Sequence, residues 1–151
     1  MANSQAMTTS FKTEILTATH NFGTAPTRGT SAADTFKAAL YLASASLGAG
    51  TTAYSSTGEV SGTNYTAGGV AVTNATAPTN SGTTAYWTPS ASITYTNVTL
   101  ATSFDAVLIY NSTQSNKAVS VHTFGAQTIT AGTFTLVMPT NAAGTALLNI
   151  A

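Results

Sequence analysis

At 151 residues the chain has the length of one domain, and a hydrophobic fraction of 43% is enough for one core. Only 5% of residues are charged, against about 25% in an ordinary soluble protein, and the four cations and four acids cancel to a formal net charge of zero. Aromatic and β-branched residues spread along the whole chain exclude disorder; no apolar run approaches the ~18 residues of a membrane helix; and no cluster of Lys and Arg exists to hold a nucleic-acid backbone.

Thr, the commonest side chain, takes the place of charge. It is β-branched and suits a pleated, half-buried surface. A neutral surface promotes association, and few Lys or Pro are available to guard strand edges, so the composition fits a subunit of an assembly. With no Cys there is no disulfide framework and no Cys metal site. The opening MANSQAMTTSFK lacks a basic region followed by an apolar one, so synthesis and folding in a cytoplasm are expected. Asn64, Asn74, Asn97 and Asn111 each begin an N-x-T sequon, which is discounted where Thr is so abundant.

Residues 1–10 are small and polar. Residues 11–22 read as a strand anchored by Phe11, Ile15 and Leu16, followed by a loop with Pro26 and Arg28. Residues 1–30 together are expected to form an extended N-terminal arm that could be deleted without unfolding a β-domain over 31–151. Residues 36–46 are ambiguous. Phe36, Leu40, Ala43 and Leu47 have helical spacing behind a Ser31–Asp34 cap, whereas Phe36, Ala38, Leu40 and Leu42 alternate as on a strand. The all-β remainder decides for a strand.

From residue 69 onward, strands are expected over 69–76, 84–88, 92–100, 104–111, 117–124, 133–138 and 145–150, a spacing that signals a sandwich or barrel. The expected fold is an all-β antiparallel sandwich of jelly-roll type. Ile93 and Tyr95 have the opposite parity from Val98 and Leu100, so a bulge near Asn97 is needed to turn all four inward. Residues 104–111 are apolar on both faces and should form a central strand. Phe134, Leu136 and Met138 alternate with Thr, and Pro139 ends their strand.

Ser120 and His122 share one strand face, with Asp105 one strand earlier, but a hydrolase also needs an exposed nucleophile turn and an oxyanion hole, and no G-x-S-x-G occurs. The acids and His20 and His122 show no ligand spacing, so no metal and no cofactor is expected. GAG and TAGG are neither a dinucleotide fingerprint nor a phosphate loop and read as turns. Glu59, in the turn GEVSG, is expected to accept backbone N–H bonds there. Tyr86 and Trp87, beside Pro89, could offer a stacking platform to a glycan or partner, although packing in a core or interface is the commoner fate of such rings.

One stretch carries a resemblance. Asp34, Phe36, Lys37, Ala39, Leu40 and Tyr41, then Thr52 and Tyr54, then Gly58, Glu59, Val60, Gly62, Tyr65, Gly68 and Gly69 are similar to a recurrent wording in structural proteins of tailed-bacteriophage virions. FDAVLIYN and the closing TLVMPTNAAGTALLNIA also resemble that family, so the likeness covers most of the chain after residue 11. Gly is commoner in the family where this chain has Asn64, a mild departure because Asn tolerates positive φ. The resemblance implies a non-enzymatic subunit, of which a homotrimeric capsid cement (decoration) protein on the outer head, bridging major capsid proteins, is preferred. A neck, tail or fibre component is the alternative within that class, and a glycan- or host-receptor-binding module the alternative outside it.

Overall fold

A computed structural model describes residues 2–16, 19–23 and 33–151. In chain order they form β1 (Ala6–Met7), α1 (Thr9–Leu16), β2 (Phe36–Leu42), β3 (Val70–Val72), β4 (Thr79–Ser81), β5 (Thr84–Trp87), β6 (Ile93–Asn111), β7 (Lys117–Leu136) and β8 (Leu148–Ile150). All strand pairing is antiparallel, in one sheet of order β1-β7-β6-β2-β3 and a second of order β4-β5-β8. The fold is thus the all-β sandwich expected. The expected loop around Pro26 and Arg28 and the Ser31 cap lie outside the described residues.

The ambiguous segment is a strand, because alternation gives it two buried faces. Phe36, Ala38 and Leu40 enter one core cluster with Val107, Ile109 and Val119; Ala39 and Tyr41 enter a second with Ala106, Leu108 and Tyr110. β2 and β6 are accordingly central and covered on both sides, as a strand apolar on both faces must be. β2 ends earlier than expected, at Leu42, where Ala45 N–H bonds back to the Leu42 carbonyl.

Four of the expected strands are pieces of two. β6 runs through residues 101–103, and β7 runs through the Gly-containing residues 125–132, making one hairpin of 19- and 20-residue strands. Register shifts between Tyr95 and Ala106 bend it. One of them is the bulge foreseen at Asn97, which takes φ 52° and lets Ile93, Tyr95, Val98 and Leu100 all face inward. The bend carries residues 93–100 and 129–136 over the core that residues 104–111 also line, and the Tyr95 hydroxyl donates to the Ala38 carbonyl at 2.7 Å. Much of the second layer is therefore the hairpin folded upon itself.

The N-terminal segment departs from expectation. Residues 9–16 are helical, because Thr8 caps them: its hydroxyl accepts the Phe11 N–H at 3.3 Å, and Lys12 N–H bonds to the Thr8 carbonyl. The helix turns Phe11 into the main core at 1% exposure, while Ile15 stays partly exposed. The Leu16 side chain lies outside the described residues. Phe22 stacks on Phe36 at 4.5 Å, and β1 pairs with β7 at Ser120 and Val121. The described residues 2–16 and 19–23 are thus packed onto the β-domain, with Phe11 and Phe22 in its core. Phe11→Ala should lower stability by about 3–5 kcal/mol in urea denaturation, and deletion of residues 1–30 should abolish cooperative unfolding. A loss under about 1 kcal/mol for the point variant would mean that the helix is peripheral.

Candidate functional site

The sequence around Glu59 builds a densely bonded polar centre. Beyond β3, the outer edge of β2 is taken up by residues 58–60: Leu42 N–H bonds to the Gly58 carbonyl, and Val60 N–H to the Leu40 carbonyl. The chain then leaves the edge and returns to it as β3. This detour places Glu59, at 9% exposure, under the turn that ends in Gly68 and Gly69. One carboxylate oxygen accepts Gly68 N–H and the Tyr65 hydroxyl, both at 2.8 Å; the other accepts the Tyr54 hydroxyl at 2.6 Å. Tyr65 also accepts Leu40 N–H at 3.0 Å, filling the gap that the detour opens in the edge of β2.

The remaining tyrosines of this region act as fasteners. Tyr110 donates to the Gly68 carbonyl at 2.8 Å, Tyr41 to the Ser55 carbonyl, and Tyr54 stacks on Tyr110 at 4.8 Å. The glycines fit because backbones touch. A Cβ on Gly69, whose φ is +70°, would overlap the Ala38 carbonyl, and one on Gly62 would overlap the carbonyl of Thr99. Glu59, Gly62, Tyr65, Gly68 and Gly69 are therefore brought together, but the backbone N–H that Glu59 accepts is that of Gly68 in the following turn and not one of its own GEVSG turn.

Chemically this centre is static. Burial, reinforced by the carboxylate of Glu59, pushes the phenols of Tyr54 and Tyr65 well above the usual range, and burial pushes Tyr41 up to about 12. All three stay protonated donors at neutral pH. Glu59 is held by hydroxyl and amide donors, with no Lys, Arg or His paired to it among the described residues.

The other candidates are distributed differently. Ser120 Oγ lies 2.9 Å from His122 Nε2, but Ser120 is buried, and Asp105 is held by Asn3 Nδ2 at 2.6 Å. The Ser-His-Asp set does not assemble. Burial drives His122 down to about 4, so it is neutral. Among the described residues no three His, Asp or Glu side chains cluster as a metal would require.

Asp34 and His20 belong to a second network that sequence reasoning missed. Asp34 Oδ2 accepts Asn21 N–H and Asn111 Nδ2, each at 2.8 Å. Asn111 Nδ2 also faces His20 Nδ1 at 3.0 Å, while its Oδ1 accepts the Thr113 and Gln114 N–H groups. Those two bonds fix the orientation of the amide, so His20 Nδ1 must accept and its Nε2 must donate to Glu14, 2.7 Å away. Burial lowers the His20 pKa against the opposing pull of Glu14 and Asp34. Glu14 also pairs with Lys117. The bonds Asp34–Asn111, His20–Asn111 and Glu14–Lys117 that tie the network together join residues 77 to 103 apart, so local patterning held no signal for it.

Trp87 is a correction. It is 2% exposed, its indole N–H donates to the Thr76 carbonyl at 2.8 Å, and its ring lies 4.7 Å from Phe22. Core packing covers the ring, and it offers no open stacking platform to a sugar. Tyr86 is partly exposed beside it, in an apolar cleft of about 210 Å³ between α1 and the second sheet, with Ile15, Leu148 and Ile150 on its walls.

Two tests follow from these geometries. Glu59→Gln puts an amide N–H₂ where only donors converge, so it should destabilise the fold by about 1–3 kcal/mol in denaturant titrations; an unchanged midpoint would deny the clamp its role. His20 and His122 both have folded pKa values below the unfolded value of 6.5. The unfolded chain therefore takes up protons first. Stability is complete above pH 6.5 and falls as the pH drops toward 4, with His122 alone contributing about 3 kcal/mol of that loss. Denaturation midpoints at pH 7.5, 5.5 and 4.5 should decline in that order, less steeply in His122→Gln; a flat profile would contradict the buried neutral state.

Compared with known proteins, the chain matches no family model, no curated protein and no solved structure.

Proposed function

We propose that the chain is a non-enzymatic structural subunit of a tailed-phage virion, of the capsid cement (decoration) kind. In this reading it is made in the host cytoplasm, associates with itself, and is fixed to the outer head, where it clamps neighbouring major capsid proteins. The observation that carries the reading is the use to which the fold puts the residues of the resemblance. Glu59, Tyr65 and Gly68 form a hydrogen-bonded clamp, and Gly62 and Gly69 permit the close backbone approaches around it. A signature made of scaffold residues supports likeness of build, and a protein of that build serves by covering surface.

The physics of a shell favours such a part. Packaged DNA presses outward on the shell, and a clamp that buries area across subunit junctions resists their separation. A nearly uncharged contact surface makes the clamp tolerant of salt, because screening weakens exposed ion pairs and leaves apolar burial intact.

Quantitative mass spectrometry of purified virions, scaled to the major capsid protein, tests the proposal. A copy number comparable to that of the shell protein is expected. A small number matched to the symmetry of a neck or tail would remove the cement reading and leave the alternative within the virion.

A further inference from the structure

The hydrogen bonds around His20 run in fixed directions. The Asn111 amide is held in one orientation: its Oδ1 accepts the Thr113 and Gln114 N–H groups, each at 3.1 Å, and its Nδ2 donates to Asp34 Oδ2 at 2.8 Å. The second Nδ2 hydrogen goes to His20 Nδ1, 3.0 Å away, so Nδ1 carries a lone pair and the single ring proton sits on Nε2, facing Glu14. The ring is enclosed, its side chain 1% exposed and Phe11 edge-on to it at 4.8 Å. This is a site for neutral imidazole. A second ring proton would set N–H against N–H at Nδ1. The charges facing the ring are Glu14 of α1 and Asp34 ahead of β2, which favour a cation, and Lys117 of β7, which with burial opposes it; burial prevails. The mismatch at Nδ1 adds to that balance.

We propose that His20 is an acid-sensitive latch, whose protonation lets residues 19–23 lift away while the sandwich beneath stays folded. The reason lies in Asp34. Its Oδ2, which could take the new proton at Nδ1, already accepts Asn111 Nδ2 and the Asn21 N–H. A protonated ring is relieved either by taking that oxygen from Asn21 or by leaving the site, and both detach the segment. Beyond Asn21 the segment is tied by Gly23 N–H to Asn74 Oδ1 at 2.9 Å and by Phe22, which lies over Phe36 and Trp87. The opening is local because α1 has anchors of its own, Phe11 in the core and Thr8 on the carbonyls of Ala118 and Val119. In the open form His20 regains the ordinary pKa of about 6.5. Acid therefore favours opening, by at most about tenfold per pH unit below 6.5 for one proton. Release of Phe22 uncovers Trp87 and Phe36, so the latch controls an aromatic surface. It does not rest on the reading of the chain as a virion subunit.

Native-state hydrogen exchange of the full chain between pH 7.5 and 5, corrected for the intrinsic rate at each pH, tests the latch. The Asn21 and Gly23 amides should be less protected than those of Leu108 and Ile109 in the central strand β6, and their protection should fall by up to about tenfold per pH unit below 6.5. His20→Gln offers an acceptor and a donor without titrating, so it should remove this slope at Asn21 and Gly23, whereas His122→Gln should keep it. A second reading needs no variant. Trp87, the one Trp of the chain, should become open to acrylamide quenching on acidification while the β-sheet circular dichroism is unchanged. Protection at Asn21 and Gly23 equal to that of β6 at every pH would overturn the proposal, since the segment would then open only by global unfolding. So would a flat profile in the wild type, a slope that survives in His20→Gln, or quenching of Trp87 that appears only as the β-sheet signal is lost.

Discussion

A carboxylate taken out of water must find donors, and meeting that need at Glu59 organises the middle of this chain. Among the described residues no cation is paired with it, and its two oxygens are satisfied by Tyr54, Tyr65 and Gly68 N–H. Each donor is then committed to a position. Tyr65 must reach across to β2, where it also accepts Leu40 N–H, and Gly68 must turn with positive φ so that its amide points inward while its carbonyl takes Tyr110. The detour from the edge of β2 and the return as β3 are consequences of one buried charge. Removing a partner from such a centre strands the others, which is why its cost exceeds that of a single exposed hydrogen bond.

The second constraint is that a long hairpin must cover its own apolar face. Nineteen and twenty residues of paired strand would be a ribbon with one wet apolar side if they stayed straight. The register shifts between Tyr95 and Ala106 let the far half fold back, so that Phe134 meets Phe104 edge-on at 5.2 Å and Tyr95 stacks on Tyr65 at 5.9 Å. This second contact joins the hairpin to the Glu59 turn, since Tyr65 belongs to both.

What could be read from the sequence follows from the range of the interactions involved. The Asn97 bulge was legible because the parity of Ile93 and Tyr95 against Val98 and Leu100 is a local conflict with one local remedy. The central place of residues 104–111 was legible for a similar reason, both faces being apolar. The helix α1 was not legible, since Thr, Ser and Phe give weak helix propensity, and its cap acts together with two carbonyls of β7. The merging of short strands into β6 and β7 was hidden by glycines and Thr that look like turns but sit within bulges. At the candidate site, Glu59 and its glycines were legible because they stand close together in the chain. The burial of Trp87 depends on Phe22 from the N-terminal segment, and the His20 network joins residues from four separate parts of the chain.

The scarcity of charge takes on a definite form once the acids are located. Glu59 and Asp34 are buried among hydroxyls and amides, Asp105 is bonded to Asn3, and Glu14 is held between His20 and Lys117. All four carboxylates of the chain are thus engaged in holding the fold together, and none is left to guard a strand edge. Exposed strand faces are left to Thr, Ser and Asn, which pair equally well with water, with another strand or with copies of themselves. Such a surface discriminates poorly by electrostatics, so whatever specificity its contacts have must come from the length, register and shape of the edges it presents. A chain built in this way uses its carboxylates as structure and leaves its exposed strand faces nearly uncharged.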